Sequence, residues 1–412
     1  MIWICFSACT GKYLQGTETV HSPESNQKIT RTKDISTQLT RNIATLNQTD
    51  TPIVVATETL DVNELIPGFR PEAWTVFPNS TLGIHRSFDA NTVLPINDIA
   101  EDSDGIMWFA TTYGLFSFDG SEWLLVDEYD HIVEPFVEVK EDGSVWFTKS
   151  DGVYKYYDGS INSQLYLGAY GGNDIQSMSI SDDGEVWIAL LDDPRFFFQD
   201  EWHYLSEDLP FSKISDLIVD EKGGVYVSWL YSTYYGGIVY YFQGKWEVYD
   251  TEYIQANNES DDTPFAATPL MIDDEGHLWF YEWRTGLYEF HNGEFTLRID
   301  HTNERYPYQP SMLAIDDRDN IWLGSGYSGI PLSIYVPGTD QLQSIDGSYE
   351  FYIPSEFGPN YPPHRRYQHE GIIPFDRVSA LYIDSKDQLW IATDLGIYVL
   401  DLESGFPITT SS

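Results

Sequence analysis

From about residue 95 the chain alternates between apolar and polar positions in short runs, with turns rich in Gly and Asp between them. Alternation with a period of two over four to eight residues predicts half-buried strands. In the first stretch, Ile96–Ala100 is strand A and EDSDG (Glu101–Gly105) is a turn. Ile106–Ala110 is strand B, with Trp108 on one face, and Thr111–Gly114 is a loop. Leu115–Phe118 is strand C, Asp119-Gly120 turns, and Trp123–Asp127 is strand D. Gly and Asp punctuate these units because tight turns need a positive φ, which Gly allows and Asp tolerates.

The unit recurs. The aromatic residue after each acidic turn gives the series Trp108, Trp146, Trp187, Tyr226, Trp279, Trp322 and Trp390, with gaps of 38, 41, 39, 53, 43 and 68 residues. Four gaps lie close to the spacing of four-stranded blades, roughly 40–50 residues, and the two long ones hold inserts. The units include KEDGSVWFTKSDGVYKY, SDDGEVWIALL, DEKGGVYVSWL, DDEGHLWFYEWRTGLYEF, DDRDNIWLGSGYSGI and DSKDQLWIATDLGIYVL, and none reads as a helix. Four-stranded sheets at this period predict an all-β chain, a seven-bladed β-propeller of antiparallel blades. The seventh unit lacks a Trp-led strand D, whereas EAWTVF (Glu72–Phe77) stands alone ahead of the first unit and matches EWLLV and KWEVY. This N-terminal strand is expected to complete the last blade, with Trp74 beside strand 396–400.

These residues resemble the two-component regulator propeller repeat, whose hallmark is an acidic-Gly turn, Trp-(Ile/Leu/Phe)-(Gly/Ala)-Thr, a short loop, Gly-Leu and an aromatic strand. WFATTYGLFSF and WIATDLGIYVL match almost throughout, WFTKSDGVYKY and WLGSGYSGI in part, and the resemblance covers roughly residues 70–402. In that family the propellers commonly form the periplasmic sensing part of hybrid histidine kinases. The resemblance therefore implies an extracytoplasmic, non-catalytic ligand- or protein-binding module that works with a separate histidine kinase.

The chain starts with MIWICFSAC, which resembles a bacterial lipoprotein signal ending at Cys9, with Phe6 where Leu is usual and no charged n-region. The resemblance implies lipidation at Cys9 and an envelope membrane reached only through that anchor; a plain apolar start is the alternative. Residues 10–69 are rich in Thr, Ser, Asn and Gln without sustained periodicity, as in a flexible linker. The propeller then spans 70–402, and 403–412 form a tail.

Charge narrows the partners. With 22 Lys and Arg against 65 Asp and Glu, the net charge is −43. Nucleic acid demands a basic face and is excluded as a partner. The only cysteines, Cys5 and Cys9, precede the repeats, so packing alone must hold the body. The turns DSDG, SDDG, DDEG and DDRDN are read as hairpins, because no bidentate acid follows at the position a calcium loop requires. The crowded Asp316, Asp317 and Asp319 are the nearest approach to a calcium loop. No nucleophile elbow, His-Glu-x-x-His motif or phosphate-cradling loop before a helix occurs, so no cofactor, metal or catalytic residue is assigned.

A ligand is expected on the face that carries the B–C and D–A loops. Tyr113, Arg195, Tyr231, Tyr234, Trp283, Arg284 and Tyr327 fall there, and His364, Arg365 and Arg366 lie in a bordering insert. Aromatic walls with a few Arg suit a glycan, a peptide or a protein loop. The alternative for the aromatics is packing between blades. The alternative for the whole is a propeller enzyme, a lyase or glycan hydrolase with His and carboxylates at the axial funnel. Streptogramin-lyase-type enzymes are propellers of that kind, and no close match to their metal-binding arrangement occurs here. The lining of the funnel discriminates: converging His and carboxylates favour chemistry, whereas amides and aromatics favour binding.

Overall fold

A computed structural model describes residues 75–78 and most of 96–402, excepting short loop stretches and the segments 205–212, 251–266, 301–309 and 354–364. The described residues form an all-β propeller without an α-helix. They make seven four-stranded antiparallel sheets and one two-stranded hairpin. The first sheet takes Ile96–Glu101, Met107–Thr111, Gly114–Phe118 and Trp123–Glu128 in chain order. The next five follow the same meander, with leading strands Val137–Val139, Ile175–Ile180, Ile214–Val219, Ala267–Ile272 and Met312–Ile315. The last sheet holds Val378–Ile383, Gln388–Thr393 and Gly396–Asp401, and its fourth strand is Thr75–Pro78 from the other end of the chain. The register there is antiparallel, with Thr75 opposite Val399 and Pro78 opposite Gly396. Trp74 itself lies outside the described residues.

Each leading strand adjoins the leading strands of the sheets before and after it, and that of the last sheet adjoins that of the first. They therefore surround a common axis. The core is divided accordingly into seven apolar clusters, each wedged between two adjacent sheets. Trp108, for example, packs with Val137, Val145 and Phe147 of the second sheet. Trp390 packs with Ile96, Phe109 and Phe116 of the first. The repeated aromatic is thus the wedge that fills the gap between sheets which diverge from the axis. Its burial is close to complete at Trp146, Trp187 and Trp322.

Some predicted loops are strand. Val225–Ser232 and Tyr235–Phe242 extend through LYSTYYGG, which puts Tyr231 in a strand. Asp193–Phe198 is also a strand, with Arg195 opposite Ile188 and Tyr204. Part of the insert that contains Arg365 and Arg366 is a hairpin of Tyr349–Ile353 and Arg365–His369. In the first two, pairing continues past the Gly, Asp or Pro that reads locally as a turn, because the neighbouring strand supplies partners that the local sequence does not show.

Candidate functional site

The repeat motif is explained first by its hydrogen bonds. In the first A–B turn, Asp102 Oδ1 accepts from the backbone N–H of Asp104 and of Ile106 at 3.0 and 2.9 Å. Its Oδ2 accepts from the indole Nε1 of Trp108, six residues on, at 2.9 Å. Asp273, Asp316 and Asp384 repeat the arrangement with Trp279, Trp322 and Trp390. In the fourth unit Asp220 accepts from the hydroxyl of Tyr240 instead, at 2.7 Å. A carboxylate that closes a turn and holds an indole has little capacity left for a cation, and Asp316 also accepts from Asn320 Nδ2. Among the described residues no group of His, Cys, Asp and Glu is placed to hold a metal ion.

The Thr and the Gly-Leu pair are a second clamp. Thr111 Oγ1 donates to the carbonyl of Gly114 and accepts from its N–H, and Thr393 does the same with Gly396. The Gly is required by close approach. A Cβ on Gly152, whose φ is +151°, would lie 1.8 Å from the carbonyl oxygen of Leu165 on the outer strand. Both clamps leave few polar groups of the motif free for a ligand.

The concave feature is the axis. A cavity of about 770 Å³ runs along the leading strands, within the size range of small-molecule sites. Five of those strands carry a β-bulge near their start, at Asn97, Gln176, Ser215, Thr268 with Pro269, and Ser379. A bulge leaves one residue out of the ladder and re-aims its side chain. Asn97, Gln176, Ser215, Thr268 and Ser379 all line the cavity. The lining also includes Asp98, Glu101, Glu134, Glu138 and Asp216, with no Lys, Arg or His among the described residues.

Two of these acids tie sheet to sheet. Asp98 accepts from Ile99 N and, across to the second sheet, from Val137 N, each at 2.9 Å. Asp216 accepts from Leu217 N and from Leu270 N of the fifth sheet, each at 2.8 Å. Burial pushes Asp98 up to about 7 and Asp216 up to about 6, despite these donors. Glu138 is half-buried and has no hydrogen-bond partner among the described residues; burial, and then the charge of Asp98, hold its carboxyl well above the ordinary range.

Among the expected loop-face residues, Tyr113 is described and packs against the core between the last and first sheets. For Arg195, Tyr231, Arg365 and Arg366 the strand alone is described. Tyr234, Trp283, Arg284, Tyr327, His364 and Cys9 lie outside the described residues. The axial residues were not among the expected ones. Their signal is nonetheless in the chain: Asn97-Asp98, Gln176-Ser177 and Ser215-Asp216 put two polar residues together where strict alternation allows one.

Comparison with known proteins bears on the repeat and the fold. Residues 92–113 and 372–394 match the two component regulator propeller, so the chain carries repeats of that family. No curated protein matches. In fold the chain is similar to the extracellular domain of a putative one component system from B. thetaiotaomicron, with TM-score 0.56 and 15% identity. That match covers 80% of this chain and 40% of that one. The chain is also similar to streptogramin B lyase, with TM-score 0.55, 13% identity, and 79% and 96% of the two chains covered. A catalytically inactive virginiamycin B lyase from Staphylococcus aureus with quinupristin gives TM-score 0.54 and 10% identity, over 79% and 97%. Among the described residues no helix is long and apolar enough to cross a membrane.

Proposed function

We propose that the chain is a seven-bladed propeller, closed by its N-terminal strand, that binds a ligand or partner outside the cytoplasm without transforming it. In this reading it senses for a separate histidine kinase and is held to an envelope membrane by a lipid on Cys9. The observation that carries the non-catalytic part is the lining of the axial cavity: among the described residues, carboxylates converge with bulged amides and hydroxyls but without a His. Asp98 and Asp216 each hold two backbone N–H groups, which gives both a structural role in joining neighbouring sheets. The repeat family and the similarity to an extracellular domain support the sensing part. The loop face with Trp283 and Arg284 remains part of this proposal as a surface for a glycan, peptide or protein loop.

The test is a thermal-shift screen of the full chain against neutral oligosaccharides, peptides and amines, with product analysis of every hit. Binding with the ligand recovered intact is expected. Conversion of a hit, abolished in Asp98→Asn or Asp216→Asn, would establish the lyase or hydrolase reading instead.

A further inference from the structure

We propose that the axial channel is a binding site for a small organic polycation, a linear polyamine in its chemistry, gripped by Glu138 and the bulged side chains around it. This deepens the binding reading above and rests on it. Four observations converge. The channel is large enough, at about 770 Å³. Its ionisable groups are all acidic: Asp98, Glu101, Glu134, Glu138 and Asp216 line it, with no basic side chain among the described residues. Walls of low dielectric focus such a field and concentrate a cation. Bulges in five leading strands put polar side chains at one level of it, a repeated device with no structural use where the residue makes no bond. Finally, Asn97 Oδ1 and Ser379 Oγ, on adjoining strands, are buried without a hydrogen-bond partner. Asn97 Oδ1 can only accept, so a donor is what is missing there.

The distribution of the acids chooses between cations. A divalent metal needs its oxygens gathered around one point. Here Glu134 precedes the second leading strand and Glu101 ends the first, at opposite ends of the channel, and no metal-holding group is formed among the described residues. An extended molecule with spaced ammonium groups matches that spread. Asp98 and Asp216 already hold backbone donors and Glu101 accepts from Ser385, which leaves the exposed Glu134 and the half-buried Glu138 as the acids without a hydrogen bond among the described residues, and Glu138 is the one enclosed by the channel wall. Around Glu138 the first sheet presents Asp98, the last sheet presents Tyr382, and the third presents Gln176 and Ser177, which do not titrate. A cation arriving there draws Glu138 to its charged form, so binding releases a proton.

Calorimetric titration of the full chain with spermidine, at low salt near neutral pH and in two buffers of different ionisation heat, tests this. One saturable site per chain with proton release is expected. Glu138→Gln should weaken it by about tenfold or more, the order for loss of a charge-assisted contact, and remove the proton release. Gln176→Lys, which brings a positive charge into the channel, should weaken it similarly and carries the test if Glu138→Gln alters the circular dichroism. Glu141→Gln with Glu221→Gln, both exposed on turns, should bind as the natural chain does. Absence of a saturable site, or binding weakened equally by the turn variant, overturns the proposal. So does spermidine binding that neither channel variant affects. A neutral sugar or peptide that binds regardless of the channel variants sinks the polyamine and leaves the binding module standing. Spermidine bound and consumed would keep the channel site and remove the non-catalytic reading.

Discussion

The aspartate six residues before Trp108, Trp279, Trp322 and Trp390 satisfies at least three donors with one side chain. At Asp384 these are Lys386 N at 3.0 Å, Gln388 N at 2.9 Å and Trp390 Nε1 at 2.9 Å. Asp384→Ala strands the indole N–H and one or both turn amides, and should destabilise the fold by about 2–4 kcal/mol. Asp384→Asn keeps an acceptor for the turn but presents N–H to N–H at the indole, and should fall between the two in urea denaturation. Equal stability of Ala and Asn would show that the turn amides contribute nothing, since both variants lose the indole bond. Gly152→Ala should also be costly, by about 2–3 kcal/mol or more, since the new methyl meets a backbone carbonyl at a φ reserved for Gly. Gly120→Ala, at φ +92° with open space around it, carries the backbone strain without the collision and should lose less. These residues were legible in the sequence as a spacing, because each clamp is local and complete within about six positions. Their geometry was not: Asp-Gly reads as a turn whether or not a carboxylate points back at a distant ring.

At the scale of the strand, the bulge is what gives the leading strands two jobs. It lets the residue after it, Asp98 or Asp216, reach the next sheet while its own side chain turns to the axis. The folded chain holds the protons of Asp98 and Asp216 more tightly than the unfolded chain does, since both are raised, to about 7 and about 6. Their contribution to stability is therefore greatest below the ordinary aspartate range near pH 4 and is lost as pH rises to about 7. Asp98→Asn is neutral throughout and loses one of two acceptors. It should be clearly less stable than the natural chain at about pH 5, and the gap should narrow by about pH 8, as followed by urea denaturation at both. A gap that stays constant would mean that Asp98 does not titrate in this range. Paired polar residues such as Asn97-Asp98 mark a bulge in the sequence, yet that mark says nothing of where the extruded side chain goes. The direction depends on which face of the strand is turned to the axis.

Across the whole molecule, the first and last described strands meet in one sheet. Phe77, on the borrowed strand, stands 5.1 Å from Phe118 and 5.4 Å from Trp123 of the first sheet, and 6.2 Å from Trp390 of the last. It therefore joins the first and last sheets as well as finishing one of them. Phe77→Ala should destabilise by about 2–4 kcal/mol, with the cooperative unfolding of all sheets shifted together rather than a partial loss of one. A separate early transition limited to the last sheet would show that the strand is an appendage. The sequence by itself determined the strands, the unit length, the wedge aromatics and the stray strand at 75–78, because these follow from period-two patterning, turn chemistry and the burial of large apolar side chains, all readable within one unit. Only the tertiary structure decided that the polar pairs of different units converge on one axial channel, that its acids lack a basic partner among the described residues, and that Glu138 stands in the channel wall without a hydrogen bond there. Convergence is a relation between residues tens to hundreds of positions apart, and it exists only once the sheets are arranged around a common axis.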